Sequence, residues 1–318
     1  TMPKFADARV ILSAGSLPKA SFIERVKAAK AAGFNALSLF PQQYLAAQRK
    51  EKLSVQNMQE ILTEHEIAID EVDPLLDWFG LDASPSEQLM MEMANAFDAR
   101  SINVAAAFVS DKPQSEIVDC FARTCERVAA HGLRADLEFL PWTKVPDLAS
   151  ALTLLEQANP SNAGIMFDFW HFFNGGGEIA QLDALPASSA ARITSLQLND
   201  RPQTIAELNR GENWQFTKTM LQTAVDSIRV MGWKGFTQVA AKAKYPHPDA
   251  QQMMKDALCS RLMPGAGTAP VAEVLSALTA KGVQPAIGIE VFNLTHDNLP
   301  AADIAQSAMH AYRSVMGN

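Results

Sequence analysis

Cysteine is scarce in this chain of 318 residues, with Cys120, Cys125 and Cys259 alone. An odd number without zinc-type spacing excludes a disulfide framework and a zinc ribbon. The three read as reduced core thiols of a cytoplasmic protein. Histidine is also rare, at six, too few for a site that holds several zinc ions through imidazoles. No run approaches the ~18 uninterrupted apolar residues of a membrane span, so no membrane partner is expected. Thr1-Met2-Pro3-Lys4 lacks the pattern of a signal peptide. Basic residues are outnumbered, 27 Lys and Arg against 35 Asp and Glu, for a net charge of −8. Without a basic stripe, that balance argues against a nucleic-acid partner. Low-complexity segments are absent too.

What is present is an alternation of short apolar runs and amphipathic stretches. Strand-like runs fall at Ala8–Leu12, Ala36–Phe40, Ile67–Val72, Ile102–Ala106, Leu133–Phe139, Gly164–Asp168, Ile193–Leu198 and Ala286–Phe292. Between them lie helical patterns with recognisable ends. Ser21 and Glu24, and again Ser84 and Glu87, have the spacing of a capping box, the second with Pro85 at the first helical position. Gly33, Gly132 and Gly282 stand where helices should close. Eight βα units of about 30 residues predict a parallel (β/α)8 TIM barrel, with 1–318 as one domain.

One interval is too long for the rhythm. From Gln197 to Glu290 there are 93 positions, where about 50 suffice for a βα unit and its loops. The surplus, approximately 205–258, reads as an insertion before the last βα unit. It carries an amphipathic helix from about Thr217 to Val230, while 235–243 could be strand or helix. Such an insertion is expected to cover the barrel mouth or to pack against a second subunit, so a homo-oligomer is a possible partner state.

Four consecutive strands end on oxygen-bearing side chains: Glu138, Asp168, Gln197 and Glu290. Chemistry in this architecture sits at the C-terminal ends of the strands. Three carboxylates cannot share a small volume without a cation. The set therefore predicts one divalent metal ion, Mg²⁺, Mn²⁺ or similar, bound by hard oxygen donors. His171, three residues past Asp168, can reach the same space. Glu71 and Asp73 shape the loop before Pro74, with substrate contact by Glu71 an open alternative. Trp78, Trp142 and Trp170 fall just beyond strand ends. They read either as plugs of the barrel top or as a substrate pocket that stacks on a ring or carbon chain.

These segments carry a family resemblance. Leu137-Glu138-Phe139, Phe167-Asp168-Phe169-Trp170-His171, Leu196-Gln197-Leu198-Asn199-Asp200 and Ile289-Glu290-Val291-Phe292-Asn293 resemble the xylose isomerase-like TIM barrel family. Arg261-Leu262-Met263-Pro264-Gly265-Ala266-Gly267 resembles that family's Arg…Pro-Gly-x-Gly loop. The resemblance implies that Glu138, Asp168, Gln197 and Glu290 hold the metal (Mg, Mn, Co or Zn), with His171 and Arg261 near the substrate. The chain departs from the family in carrying Gln197 where many members have histidine, and in the 205–258 insertion.

The expected activity is a metal-dependent isomerase or epimerase of carbohydrate metabolism. Its small-molecule substrate would be a hydroxy-carbonyl compound: a sugar, polyol or related acid. Glu138 and Glu290 would exchange a carbon-bound proton across a metal-stabilised enediolate. The alternative is a dehydratase or lyase of the 3-dehydroshikimate dehydratase type, with His171 assisting departure of a hydroxyl.

Overall fold

A computed structural model describes Phe5 and residues 8–317; the N-terminal Thr1-Met2-Pro3-Lys4 lies outside the described residues. Eight parallel strands close a barrel in sequence order. They are β1 Val10–Leu12, β2 Ala36–Leu39, β3 Ala68–Leu75, β4 Ser101–Ala105, β5 Arg134–Glu138, β6 Ala163–Asp168, β7 Ile193–Leu198 and β8 Ala286–Ile289. Closure is by β1 on β8, with Leu12 opposite Ile289. Among the described residues no helix is long and apolar enough to cross a membrane.

Several helix ends follow the local chemistry read from the sequence. Ser21 and Glu24 form a reciprocal box, and Gly33 closes that helix at φ 93°, in the left-handed region that glycine enters without strain. The second box is only half made. Ser84 Oγ accepts from Glu87 N at 3.1 Å, but Arg127 draws the Glu87 carboxylate away through Nε at 2.6 Å and Nη2 at 2.8 Å. A buried carboxylate gains more from a two-pronged guanidinium than from one backbone N–H. One helix, Pro41–Arg49, was not expected. It lacks a Ser, Thr, Asp or Asn cap, and Gln43 Oε1 instead accepts from Phe40 N at 3.1 Å.

The barrel interior is polar, and several of its bonds run between strands that are not neighbours. Ser195 Oγ on β7 donates to Asp136 Oδ2 on β5 at 2.9 Å. Arg100 Nε reaches Asp70 Oδ2 at 3.1 Å, and its Nη2 reaches Ser195 Oγ at 3.3 Å. This lower tier is neutralised by Arg9 and Arg100. Such pairing is needed because an isolated buried charge is prohibitively costly. It forms the floor beneath the acids at the strand ends.

The insertion consists of a helix Arg210–Lys242, broken at Gly232 (φ 73°), and a second helix Ala250–Cys259. The stretch 235–243, undecided by pattern, is helical through Lys242. Near its start Gln215 Nε2 donates to Leu294 O at 3.0 Å, and at its end Lys242 O accepts from Ser110 Oγ at 3.2 Å. Leu294 follows β8 and Ser110 follows β4, on opposite sides of the barrel. Between those two points its long helix packs against the helices Pro41–Arg49 and Pro85–Phe97.

Gly15, buried in the turn after β1, shows how tightly the mouth is packed. A Cβ there would enter the Phe292 ring, and that ring lies 4.8 Å beneath the Arg261 guanidinium. Gly15→Ala is expected to cost about 1–3 kcal/mol, as overpacking does. Denaturant midpoints would measure this, and Phe292→Leu in the same background should recover part of the loss. An unchanged midpoint would contradict the contact.

Candidate active site

Asp168 ends β6 and also caps the short helix Phe169–Asn174, its Oδ1 accepting from His171 N at 3.0 Å. That turn carries the imidazole back over the barrel axis. His171 Nε2 lies 3.4 Å from Glu138 Oε1 and 3.4 Å from Arg261 Nη2. The ring meets Trp142 edge-on, with centroids 5.3 Å apart. His171 Nδ1 is buried and has no hydrogen-bond partner among the described residues.

Arg261 enters from the segment after the insertion. Its Nε donates to Ala257 O at 2.8 Å, while Nη1 donates to Asp168 Oδ2 at 2.8 Å and Glu290 Oε2 at 3.2 Å. The loop behind it wraps around one carboxylate. Asp200 Oδ2 accepts from Gly265 N and Gly267 N at 3.0 Å each, and Oδ1 accepts from Ala269 N at 3.0 Å. A Cβ at Gly267 would collide with the Arg201 carbonyl. The Pro-Gly-x-Gly pattern thus lets backbone close on Asp200 and fixes the strap that delivers Arg261.

Gln197 lies among the acids. The end of its amide is 3.1 Å from Glu138 Oε1, 3.0 Å from Asp168 Oδ2 and 3.2 Å from Glu290 Oε2. Turned with NH₂ inward, it donates to all three. Turned with its oxygen inward, it completes a cluster of four oxygens. Oxygens about 2.1 Å from one shared ion sit roughly 3.0 Å apart when adjacent, which the three distances from Gln197 match. A second, overlapping donor set is Glu138, Asp168 and His171, whose ligand atoms lie within 4.8 Å of one another. By donor chemistry and spacing these residues fit a metal ion.

The strand ends alone did not reveal all the groups at this point. Asn103, in the middle of β4, donates through one Nδ2 to Asp73 Oδ1 at 2.8 Å and Glu138 Oε2 at 2.7 Å. Asn199 Nδ2 approaches Asp168 Oδ2 at 3.3 Å. An Asn inside an apolar run at an inward position was the available signal for both. Glu71, for which substrate contact was the alternative to shaping the loop, is one tier down, in register with Ser101, which pairs with Arg134. These are strand starts. β3 runs on through Pro74 to Leu75, so Asp73 is the acid that reaches the mouth. Trp78 is not at the mouth either. It is buried behind the barrel, with Nε1 donating to Ala105 O at 2.8 Å and the ring against Phe121. Trp142 and Trp170 do stand over the site, in an apolar cluster with Leu140, Ala105 and Ala257.

The electrostatics divide the acids. Burial, together with Asp73, Glu138 and Asp168, pushes Glu290 well above the ordinary carboxylate range despite Arg261. Asp73 is pushed up to about 8 by burial and then by Glu138. Asp168 is buried as deeply, yet Arg261, His171 and the helix N–H outweigh burial and hold it low.

With this geometry in hand, comparison with known proteins is informative. The model of the xylose isomerase-like TIM barrel matches residues 26–315. The chain belongs to that family. No protein of curated function matches it. Solved structures share the fold at low identity. A protein IolI with a bound zinc atom aligns at 15% identity and TM-score 0.71, over 97% of this chain and 98% of that one. A probable 3-DHS dehydratase, AsbF from Bacillus anthracis, aligns at 18% and 0.64, over 96% and 98%. A 3-keto-D-glucoside 4-epimerase, YcjR from E. coli, aligns at 12% and 0.61, over 98% and 100%. A longer fusion of a xylose isomerase-like TIM barrel with 4-hydroxyphenylpyruvate dioxygenase aligns at 18% and 0.72, and the chain spans 43% of it.

The raised Asp73 makes stability depend on pH. Folded, it keeps its proton up to about 8; unfolded, it loses it near the ordinary aspartate value of 3.8. Between those values the unfolded chain has shed a proton that the folded chain retains, so stability from this group falls as pH rises and levels off above 8. Asp73→Asn should flatten that fall in chelated protein, read as urea midpoints at pH 5 and pH 8. An unchanged pH slope would contradict the assignment.

Proposed function

We propose that the chain is a divalent-metal-dependent isomerase or epimerase acting on a hydroxy-carbonyl compound of the sugar, polyol or related-acid kind. The observation that carries this reading is the pair of carboxyl groups, Glu138 and Glu290, on either side of the Gln197 amide, each about 3 Å from it. Glu138, Asp168, Gln197 and Glu290 are the residues to hold the ion, with His171 the adjacent donor. When bound, the ion supplies Lewis acidity that polarises a substrate carbonyl and eases loss of the neighbouring proton.

The chain's own residues do the rest. Glu138, steadied by the Asn103 amide, accepts the carbon-bound proton. Glu290, whose carboxyl is shifted upward by burial and the neighbouring acids, serves as its counterpart and returns a proton at another position or face. Arg261 orients substrate oxygens and offsets the acids. Burial of the whole set, with Glu138 6% and Asp168 0% exposed, keeps water from competing for the proton. The epimerase among the structures of similar fold supports this reading.

A second reading, dehydration, draws on His171. Its imidazole lies beside Glu138 with Nδ1 unpaired, suited to protonate a departing hydroxyl. The probable dehydratase of similar fold supports it. The two separate by product. Metal-loaded protein in deuterated water, given ketoses, keto acids and cyclic hydroxy-ketones, is expected to return an isomer that has gained deuterium. Glu290→Gln should slow turnover at least ~100-fold, and His171→Asn should mainly weaken substrate binding. A product lighter by one water, lost in His171→Asn, would replace isomerisation by elimination.

A further inference from the structure

The site has an acidic floor, and the material directly above it is of the opposite kind. Leu140 and Trp142 lie two and four residues past Glu138, and Trp170 lies two past Asp168. They form an apolar cluster separate from the main core, joined by Phe108 and, from the insertion, Met253 and Ala257. This roof touches the floor at two points: Trp142 against His171 at 5.3 Å, and Ala257 O accepting from Arg261 Nε at 2.8 Å. The cluster thus lies directly beside the groups that flank Glu138 and Glu290.

Several polar side chains on the same segments are already engaged. Thr143 Oγ1 donates to Leu140 O at 2.9 Å, Ser110 Oγ to Lys242 O at 3.2 Å and Asn174 Nδ2 to Trp170 O at 2.9 Å. Lys255 Nζ donates to Asn213 Oδ1 at 2.8 Å. A polyhydroxylated chain lying under this roof would bury hydroxyls with few free partners, each at a cost of roughly ten-fold in affinity or more. An apolar ring would instead replace water against Trp142, Trp170 and Met253.

We infer that the substrate is a hydroxy-carbonyl compound whose remainder is an apolar ring or chain, with the oxygenated end on the floor and the apolar part under the insertion. This rests on the reading of the floor as a proton-transfer site and adds what the roof selects.

The test uses a matched pair with the same hydroxymethyl-ketone end: phenacyl alcohol, whose remainder is a phenyl ring, and erythrulose, whose remainder is a diol. Calorimetry with the metal-loaded full chain measures binding of each, and proton NMR in deuterated water follows exchange at the hydroxymethyl carbon. Phenacyl alcohol is expected to bind at least ten-fold more tightly than erythrulose. Met253→Gln, similar in size, should cut that preference several-fold while leaving the metal content unchanged. Erythrulose binding equally or better, or neither compound binding, overturns the inference. If phenacyl alcohol binds as expected but neither compound exchanges deuterium, the roof's selectivity stands and the proton-transfer reading falls.

Discussion

Four carboxyl groups, Asp73, Glu138, Asp168 and Glu290, are buried around one point, with Arg261 as the cation bonded to two of them. Neighbouring features of the structure answer that constraint. Asp168 is relieved by a helix N-terminus and a guanidinium, Asp73 by keeping its proton up to about 8, and Glu138 by the Asn103 amide, while Glu290 is shifted above the usual carboxylate range. Those solutions are incomplete. Gln197 sits among three acids with an amide that fits either as a donor or as the fourth oxygen around an ion. A cluster of buried acids that one divalent cation would satisfy at once is a site organised for metal and not for stability.

Where the local chemistry of a residue decided its place, the sequence was enough. Strand ends on consecutive βα units must converge in a closed barrel, so Glu138, Asp168, Gln197 and Glu290 could be brought together by counting alone. Ser21, Glu24 and Gly33 likewise carry their own geometry. What escaped depended on strand register. Glu71 and Asp73 lie on one strand, and only its extension to Leu75 decides which of them reaches the mouth. Trp78 looked equivalent to Trp142 by position, yet the strand's extra length turns it behind the barrel. Asn103 is mid-strand, where an end-of-strand rule does not look.

The insertion ties the fold to the site. Its first helix bridges the loops after β8 and β4, its second supplies apolar side chains above the acids, and the chain leaving it carries Arg261. Closure of the mouth and delivery of the buried cation are therefore one structural event. A segment that looked like an addition to the family pattern is part of how this member's acids are held.

The central claim is that the four-oxygen cluster binds one divalent ion. Burial and the neighbouring acids push the Glu290 carboxyl above the usual range in the chain without metal, and Asp73 is pushed up to about 8, so an ion bound among them is expected to release protons. Titration calorimetry of chelated protein with Mn²⁺ and with Zn²⁺, in buffers of different ionisation enthalpy at neutral pH, reads stoichiometry and proton release together. The account predicts one ion per chain, about one proton released, and no binding in Asp168→Ala. Absence of binding, or binding indifferent to both buffer and Asp168, would contradict it.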